Sequence, residues 1–225
     1  MRETFFGVTV GTSLLTNAQR DGATDLLSYA LENPRRASAE LNTLLALRSR
    51  WPALFARPQL VLYSTDTEEG RRVADVIASA AGQLLSARAE VKVVPKLGLD
   101  FHEGLLNLAV QIARDVREAR RRGALPYVVA TGGFKPESTF AVIAAYLAGA
   151  VGVAYIHESF REAVVLPMVP LDLAEAVKKF HRGEADESAL ARSLGLDVQH
   201  LEAVGLLGPD RRLSPLLVQI IQALE

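Results

Sequence analysis

The sequence predicts an α/β fold: a Rossmann-like, mostly parallel sheet with helices on both faces, followed by a small helical C-terminal region. Three observations carry this. Short, nearly all-apolar runs alternate along the chain with longer stretches of helical periodicity, the pattern of strands buried on both faces and joined by helical crossovers. Hydrophobic residues make up 49% of the 225 residues and charged residues 23%, ample for a sizeable core. Three of the apolar runs end in small polar residues, where parallel sheets present ligand-binding loops.

In order, FFGVTVGTSLL reads as strand 1, and residues 22–50 as two helices broken near Asn33-Pro34. QLVLYSTDT reads as strand 2 and EEGRRVADVIASAAGQLL as an amphipathic helix, with Asp66 a candidate cap. AEVKVVP is strand 3, and FHEGLLNLAVQIARDVREARRRG the next helix, its arginines suited to a solvated face and a helix C-terminus. PYVVATGG is strand 4, followed by a helix starting near Pro136. Phe140 to Ile156 is a stretch of 17 residues without a charge, close to the length of a membrane span. Gly149, Gly152 and the β-branched residues after them favour a buried helix to about Ala148 and then strand 5, VGVAYIHES. EAVVLPMVPL follows too closely for a helical crossover and is expected to pair antiparallel as strand 6.

A domain boundary is placed near Pro170: residues 1–170 form the Rossmann-like domain and 171–225 the helical region. In the latter, ALARSLGLDVQHLEAVGLL has the spacing of a helix-turn-helix with Gly195 in the turn. A small helical cap or dimerisation element is the simpler reading, because the second helix carries few basic residues.

Composition excludes several classes. A net charge of −1 argues against broad binding to long nucleic acid, although a local basic pocket fits within a neutral total. DNA binding by the tail stays open. The absence of cysteine excludes disulfides, thiolate catalysis and Cys-ligated zinc, and fits a cytoplasmic protein. The N-terminus lacks a signal-peptide pattern. His102, His157, His181 and His200 are scattered, and no HExxH-type array occurs, so neither a metal nor a cofactor is expected.

The strand ends concentrate the chemistry. Strand 1 ends in Gly11-Thr12-Ser13, strand 2 in Ser64-Thr65-Asp66, and strand 4 in Thr131-Gly132-Gly133 with Phe134 and Lys135 just beyond. Glycines let backbone N–H groups approach a phosphate, hydroxyls donate hydrogen bonds, and lysine supplies a point charge. Glu158, just after strand 5, is placed to line the same crevice or cap it. No GxGxxG follows strand 1 and no GxxxxGK[ST] occurs, so neither a dinucleotide fingerprint nor a P-loop is supported. Ser13 as a helix cap and Lys135 as an ordinary surface residue remain the plain structural alternatives.

TGGFK at 131–135, GTSLL at 11–15, RRASAELNTLL at 35–45 and GLDFHEGLLNLAVQIA at 98–113 together resemble a CRISPR-associated Rossmann-fold (CARF) domain. The likeness is to the branch of stand-alone ring nucleases and the sensory halves of type III CRISPR ancillary ribonucleases. It covers about residues 1–170. It implies a homodimer that binds cyclic oligoadenylate across its two-fold axis, a symmetry that cyclic tetra-adenylate shares. It also implies that Ser13 and Lys135 take part in cleaving the ring, which would switch off the signal. A sensor that binds without cleaving, or a transcription regulator acting through the tail, is the alternative. The Arg-x4–6-His motif of the associated effector ribonucleases is not found, since Arg192 and His200 are too widely spaced.

Overall fold

The computed structural model describes residues 2–156, 162–168, 174–214 and 217–218. Among these, six strands form one sheet in the order β3-β2-β1-β4-β5-β6. They are β1 (Thr4–Thr9), β2 (Pro58–Ser64), β3 (Arg88–Val93), β4 (Leu125–Val129), β5 (Gly152–Ile156) and β6 (Ala163–Pro167). The pairs β1–β2, β1–β4, β2–β3 and β4–β5 are parallel. Every residue of β1 and β4 is buried, as their unbroken apolar runs require. β3, at the sheet edge, has only exposed and half-buried residues.

The order doubles back at β1, whose two neighbours are β2 and β4, so the switch point lies between β1 and β4. The helices divide accordingly. On one face lie α1 (Ser13–Arg20), α2 (Leu26–Glu32), α3 (Pro34–Ala37), α4 (Ala39–Arg50) and α5 (Glu68–Leu85), a mutually packed set from which α4 reaches β4 and β5 and α5 reaches β2 and β3. Helices α6 (Phe101–Arg121) and α7 (Lys135–Ala148) pack together against β1 and β4. The core between layers centres on Phe6, whose ring stacks on Phe55 at 5.0 Å and meets Tyr127 at 5.7 Å.

Several expectations need correction. The GTSLL segment is not strand: β1 stops at Thr9, and Ser13 already opens α1, with Leu14 and Ala18 buried. Its apolar residues follow helical rather than alternating spacing. Residues 22–50 hold three helices rather than two, because Pro34 starts a four-residue turn that Ser38 ends by capping α4. Asp66 does not cap α5. Thr67 does, its hydroxyl accepting the Gly70 N–H, while Asp66 accepts the Lys96 N–H and pairs with Arg71. The uncharged stretch Phe140–Ile156 divides as expected: α7 ends at Ala148, Gly149 adopts φ +84°, and β5 follows. Among the described residues no helix is long and apolar enough to cross a membrane.

The chain forms two compact units, residues 1–164 and 165–225. Pro170 lies outside the described residues. In the second unit α8 (Ala174–His181) and α9 (Glu187–Ser193) pack on each other. Gly195, at φ +65°, turns the chain after α9 into a short 3-10 helix at Val198–His200, and Leu207 bridges antiparallel to Leu213.

Candidate functional site

Two loops meet at the switch point, backbone against backbone. A Cβ added to Gly11, after β1, would lie 2.6 Å from the Gly133 nitrogen after β4. A Cβ on Gly132 would meet the Thr9 carbonyl oxygen at 2.6 Å, the Gly11 nitrogen at 2.8 Å and the Glu40 carboxylate. Gly133 adopts φ +92°, which only glycine reaches without strain. The glycines at 11 and 132 therefore serve close approach, and the one at 133 serves the turn. The Thr9 hydroxyl donates to the Gly132 carbonyl at 2.7 Å and fastens the second loop to β1.

Glu40, on the first turn of α4, joins these loops from behind. It is fully buried. One carboxylate oxygen accepts the Gly11 N–H at 2.7 Å and the other accepts the Ser38 hydroxyl at 2.6 Å. Burial raises its pKa, against the lowering effect of hydrogen bonds from Gly11, Ser38 and Ser13. The Ser13 oxygen also accepts the Ala39 N–H at 3.3 Å. Nearby, the Thr43 hydroxyl lies 2.8 Å from the Ala39 carbonyl and 3.0 Å from the Thr131 hydroxyl, and its single proton is shared between these two acceptors.

This network decides which backbone donors face outward. The Gly11 N–H is taken by Glu40, and the Phe134 N–H by Glu137 at 2.9 Å. The N–H groups of Gly132 and Gly133 donate to no acceptor among the described residues. Glu137 is itself 7% exposed, and burial raises its pKa while the Phe134 bond lowers it. The Phe134 ring stands out from the surface, 76% exposed, and Lys135, the first residue of α7, is exposed beside it.

Ser13 lines a cavity of 360 Å³ with Asn17, Asn42, Arg20, Arg35 and Arg36. Its arginines are only partly offset. Asp21 pairs with Arg36 at 2.6 Å and Arg20 at 3.5 Å, and the hydrogen bonds from Arg36 and Tyr29 hold its pKa down at about 2. Arg20 and Arg36 thus share one carboxylate and Arg35 does not pair with it, leaving an electropositive hollow in a chain of net charge −1.

The structure thus brings Gly11, Thr131, Gly132 and Gly133 together and sets Ser13 on the adjoining cavity. Thr12 caps nothing with its side chain, while its carbonyl accepts from Leu15 and Thr16. Ser64 is fully buried and donates to the Thr65 carbonyl at 3.2 Å, so its hydroxyl faces the chain. Thr65 packs its hydroxyl 2.8 Å from that of Thr67, against Gly70 and Gly98. Lys135 is not among the residues lining the Ser13 cavity. Glu158 lies outside the described residues. Sequence reasoning missed Glu40, Arg20, Arg35 and Arg36. The available signal was an arginine pair just after Asn33-Pro34 and ahead of the Ser38 cap, in the connection between β1 and β2.

A doubly wound sheet with two glycine turns meeting at its switch point defines a Rossmann-like protein. The model of the CRISPR-associated protein family Cas_APE2256 matches residues 35–169, more than half of the chain. The chain belongs to that family, which is of the CARF type. Among solved structures it is similar to Csm6 of Enterococcus italicus bound to cyclic hexa-2′-fluoro-hexa-dAMP, with a TM-score of 0.46, 11% identity, and coverage of 86% of this chain and 49% of that one. It is also similar to Can2 of Sulfobacillus thermosulfidooxidans in complex with cyclic tetra-adenylate, with a TM-score of 0.38, 13% identity, and coverage of 97% of this chain and 63% of that one. The chain therefore spans about half of the first protein and under two thirds of the second. Both are distant likenesses, and the ligands named are those proteins' own.

Proposed function

We propose that this protein binds cyclic oligoadenylate, cyclic tetra-adenylate in particular, at the switch point of a homodimer and cleaves it without a metal. Family membership supports the ligand class. The observation that carries the reading is the exposed Gly133 turn, whose N–H meets no acceptor among the described residues, together with the hollow lined by Ser13 and three arginines. Backbone donors and guanidiniums are the groups that phosphodiesters select. Two copies related by a two-fold axis would offer the same set to each half of a symmetric ring.

The chemistry asks little of the protein because RNA brings its own nucleophile. The 2′-oxygen attacks the adjacent phosphorus, the bond to the 5′-oxygen breaks, and the proton lost at the 2′ position is regained at the departing oxygen. Two such cuts turn cyclic tetra-adenylate into two linear di-adenylates ending in 2′,3′-cyclic phosphate. The protein's part is alignment and stabilisation of the charge that develops. Ser13, held between Ala39 N–H and Glu40, orients the ribose or phosphate, and Lys135 with the Gly133 N–H offsets the charge. Thr12, Thr131 and the exposed Phe134 complete the proposed contact surface. Thr65 and Glu158 are retained as outer contacts of the same ligand, and Ser64, buried with its hydroxyl turned to the chain, is given up.

A second reading is a sensor that holds the ring intact and acts through residues 165–225. It is favoured by the place of Lys135, which does not line the cavity that Ser13 lines. Substituting Lys135→Ala separates the two. A ring nuclease loses about 100-fold or more in single-turnover cleavage, on the scale of removing one charge-stabilising group, with binding changed far less. A variant that cleaves like the parent would remove Lys135 from the reaction.

A further inference from the structure

A hollow of 300 Å³, within the size range of small-molecule pockets, opens between the N-terminal turns of α6 and α7. The loop ahead of α6 is tied down. The Leu97 carbonyl accepts the Asp66 N–H at 2.7 Å, the Lys96 carbonyl accepts from Leu99 and Asp100, and Asp100 caps α6 through the Glu103 N–H at 2.8 Å. This fixed loop nevertheless holds large apolar side chains out in water: Leu99 is exposed, and the Phe101 ring is 75% exposed. The equally exposed Phe134, one residue beyond the Gly133 turn, lines the same hollow.

Helix capping does not account for these side chains. Leu99 stands where a hydrophobic staple would begin, but the partner position, fourth in α6, is Gly104, which has no side chain to meet it. Phe134 makes no side-chain cap on α7. Exposed apolar groups around a concavity with a polar rim mark a ligand groove. The polar side chains of the lining are two carboxylates, Asp100 and Glu137. Asp100 is committed to its cap. Glu137 is almost fully buried, and one of its oxygens accepts the Phe134 N–H at 2.9 Å. The other meets no donor among the described residues.

Resting on the function proposed above, we propose that this hollow seats one adenine of the cyclic oligoadenylate, its face against Phe101 and Phe134 and its exocyclic amine on the free oxygen of Glu137. Aromatic rings offer a nucleobase a stacking surface that water does not. The chain order suits this occupant. Gly133, Phe134 and Glu137 lie in one turn, so a phosphate at the Gly133 N–H leaves its nucleoside beside the hollow. The lining side chains accept and do not donate, which selects a base edge that donates. The 6-amino group of adenine does so, whereas a 6-oxo group in its place would set lone pairs against a carboxylate. Each copy has one such hollow, so a two-fold dimer takes two of the four bases of cyclic tetra-adenylate.

The test is equilibrium binding of the full chain to cyclic tetra-adenylate and cyclic tetra-inosinate, in which an oxo group replaces each 6-amino group. Both are used in 2′-fluoro form, which lacks the nucleophile and stays intact. The parent should prefer the adenine ring about tenfold or more. Phe101→Ala should weaken that ring about tenfold, the scale of one lost stacking contact. Glu137→Gln keeps the Phe134 N–H bond through its amide oxygen but turns an NH₂ toward the base. It should weaken the adenine ring and strengthen the inosine ring, bringing the two within about threefold. A carboxylate that only caps α7 would leave that ratio unmoved. An unaltered urea unfolding curve checks that each variant is folded. A parent that binds both rings equally, or variants that keep its affinity and preference, would overturn the adenine pocket while ring binding stands. A parent that binds neither ring would overturn the function reading and the pocket together. Conversion of a dimer to a monomer by Phe101→Ala, seen by sedimentation, would assign the exposed rings to a second copy and overturn the proposal as well.

Discussion

Replacing Glu40 tests whether the site rests on a buried carboxylate. In Glu40→Ala the half-buried Gly11 N–H and the buried Ser38 hydroxyl lose their acceptors. Each buried donor left unpaired costs about 1–3 kcal/mol, and relief from burying the carboxylate offsets part of this. A net loss of about 2–4 kcal/mol is expected. In Glu40→Gln the amide oxygen still accepts from Gly11 and the amide NH₂ donates to Ser38, so at neutral pH the variant should stay within about 1 kcal/mol of the parent. The pH dependence adds a signed test. Burial raises the folded-state pKa of Glu40 above its ordinary 4.5, so its stabilising contribution is present below 4.5 and is lost as pH rises through the folded value. The parent therefore loses stability relative to Glu40→Gln as the pH climbs from 4.5 to neutral. The assay is urea unfolding followed by the fluorescence of Trp51, the chain's single tryptophan, which ends the helix that carries Glu40. It therefore reports on the first unit by itself. An Ala variant as stable as the parent, or a parent–Gln difference flat with pH, would refute the reasoning.

Further outcomes follow from the same geometry. Gly132→Ala places a methyl group against Thr9, Gly11 and Glu40, two of them backbone contacts that cannot swing away; it should destabilise by about 1–3 kcal/mol and abolish ring binding. Gly22→Ala, where nothing lies within 4 Å, is the control, costing only the strain of φ +70°, about 1 kcal/mol by urea unfolding. Arg35→Ala with Arg36→Ala should weaken cyclic tetra-adenylate about tenfold or more in equilibrium binding, with salt sensitivity reduced, while cleavage at saturation is largely kept.

What could be read from the sequence was what periodicity and punctuation encode. The strands, the long helices α5, α6 and α7, the break at Asn33-Pro34 and the turn at Gly195 all have local causes. The glycine turns were visible because TGG and GTS stand at the ends of apolar runs. Glu40 was not visible, because a carboxylate on a helix reads as surface until the fold buries it behind Gly11. The share of work among the donors was hidden for the same reason: nothing local says that the Gly11 N–H is taken and that the Gly133 N–H meets no acceptor among the described residues. The arginine hollow depends on α1 and α3 lying side by side, a tertiary fact. GTSLL was misread as strand because its apolar pair continues the run of β1 across the switch into α1.

The most direct test of the proposed function is incubation of the purified protein with cyclic tetra-adenylate in EDTA, with the products resolved by chromatography. Linear di-adenylate ending in 2′,3′-cyclic phosphate is the expected result, and it would establish metal-independent cleavage by this chain. A ring that stays intact yet co-elutes with the protein would contradict the enzyme and leave the sensor. A ring that neither binds nor breaks, with cyclic hexa-adenylate behaving alike, would contradict the assignment of the switch-point site altogether.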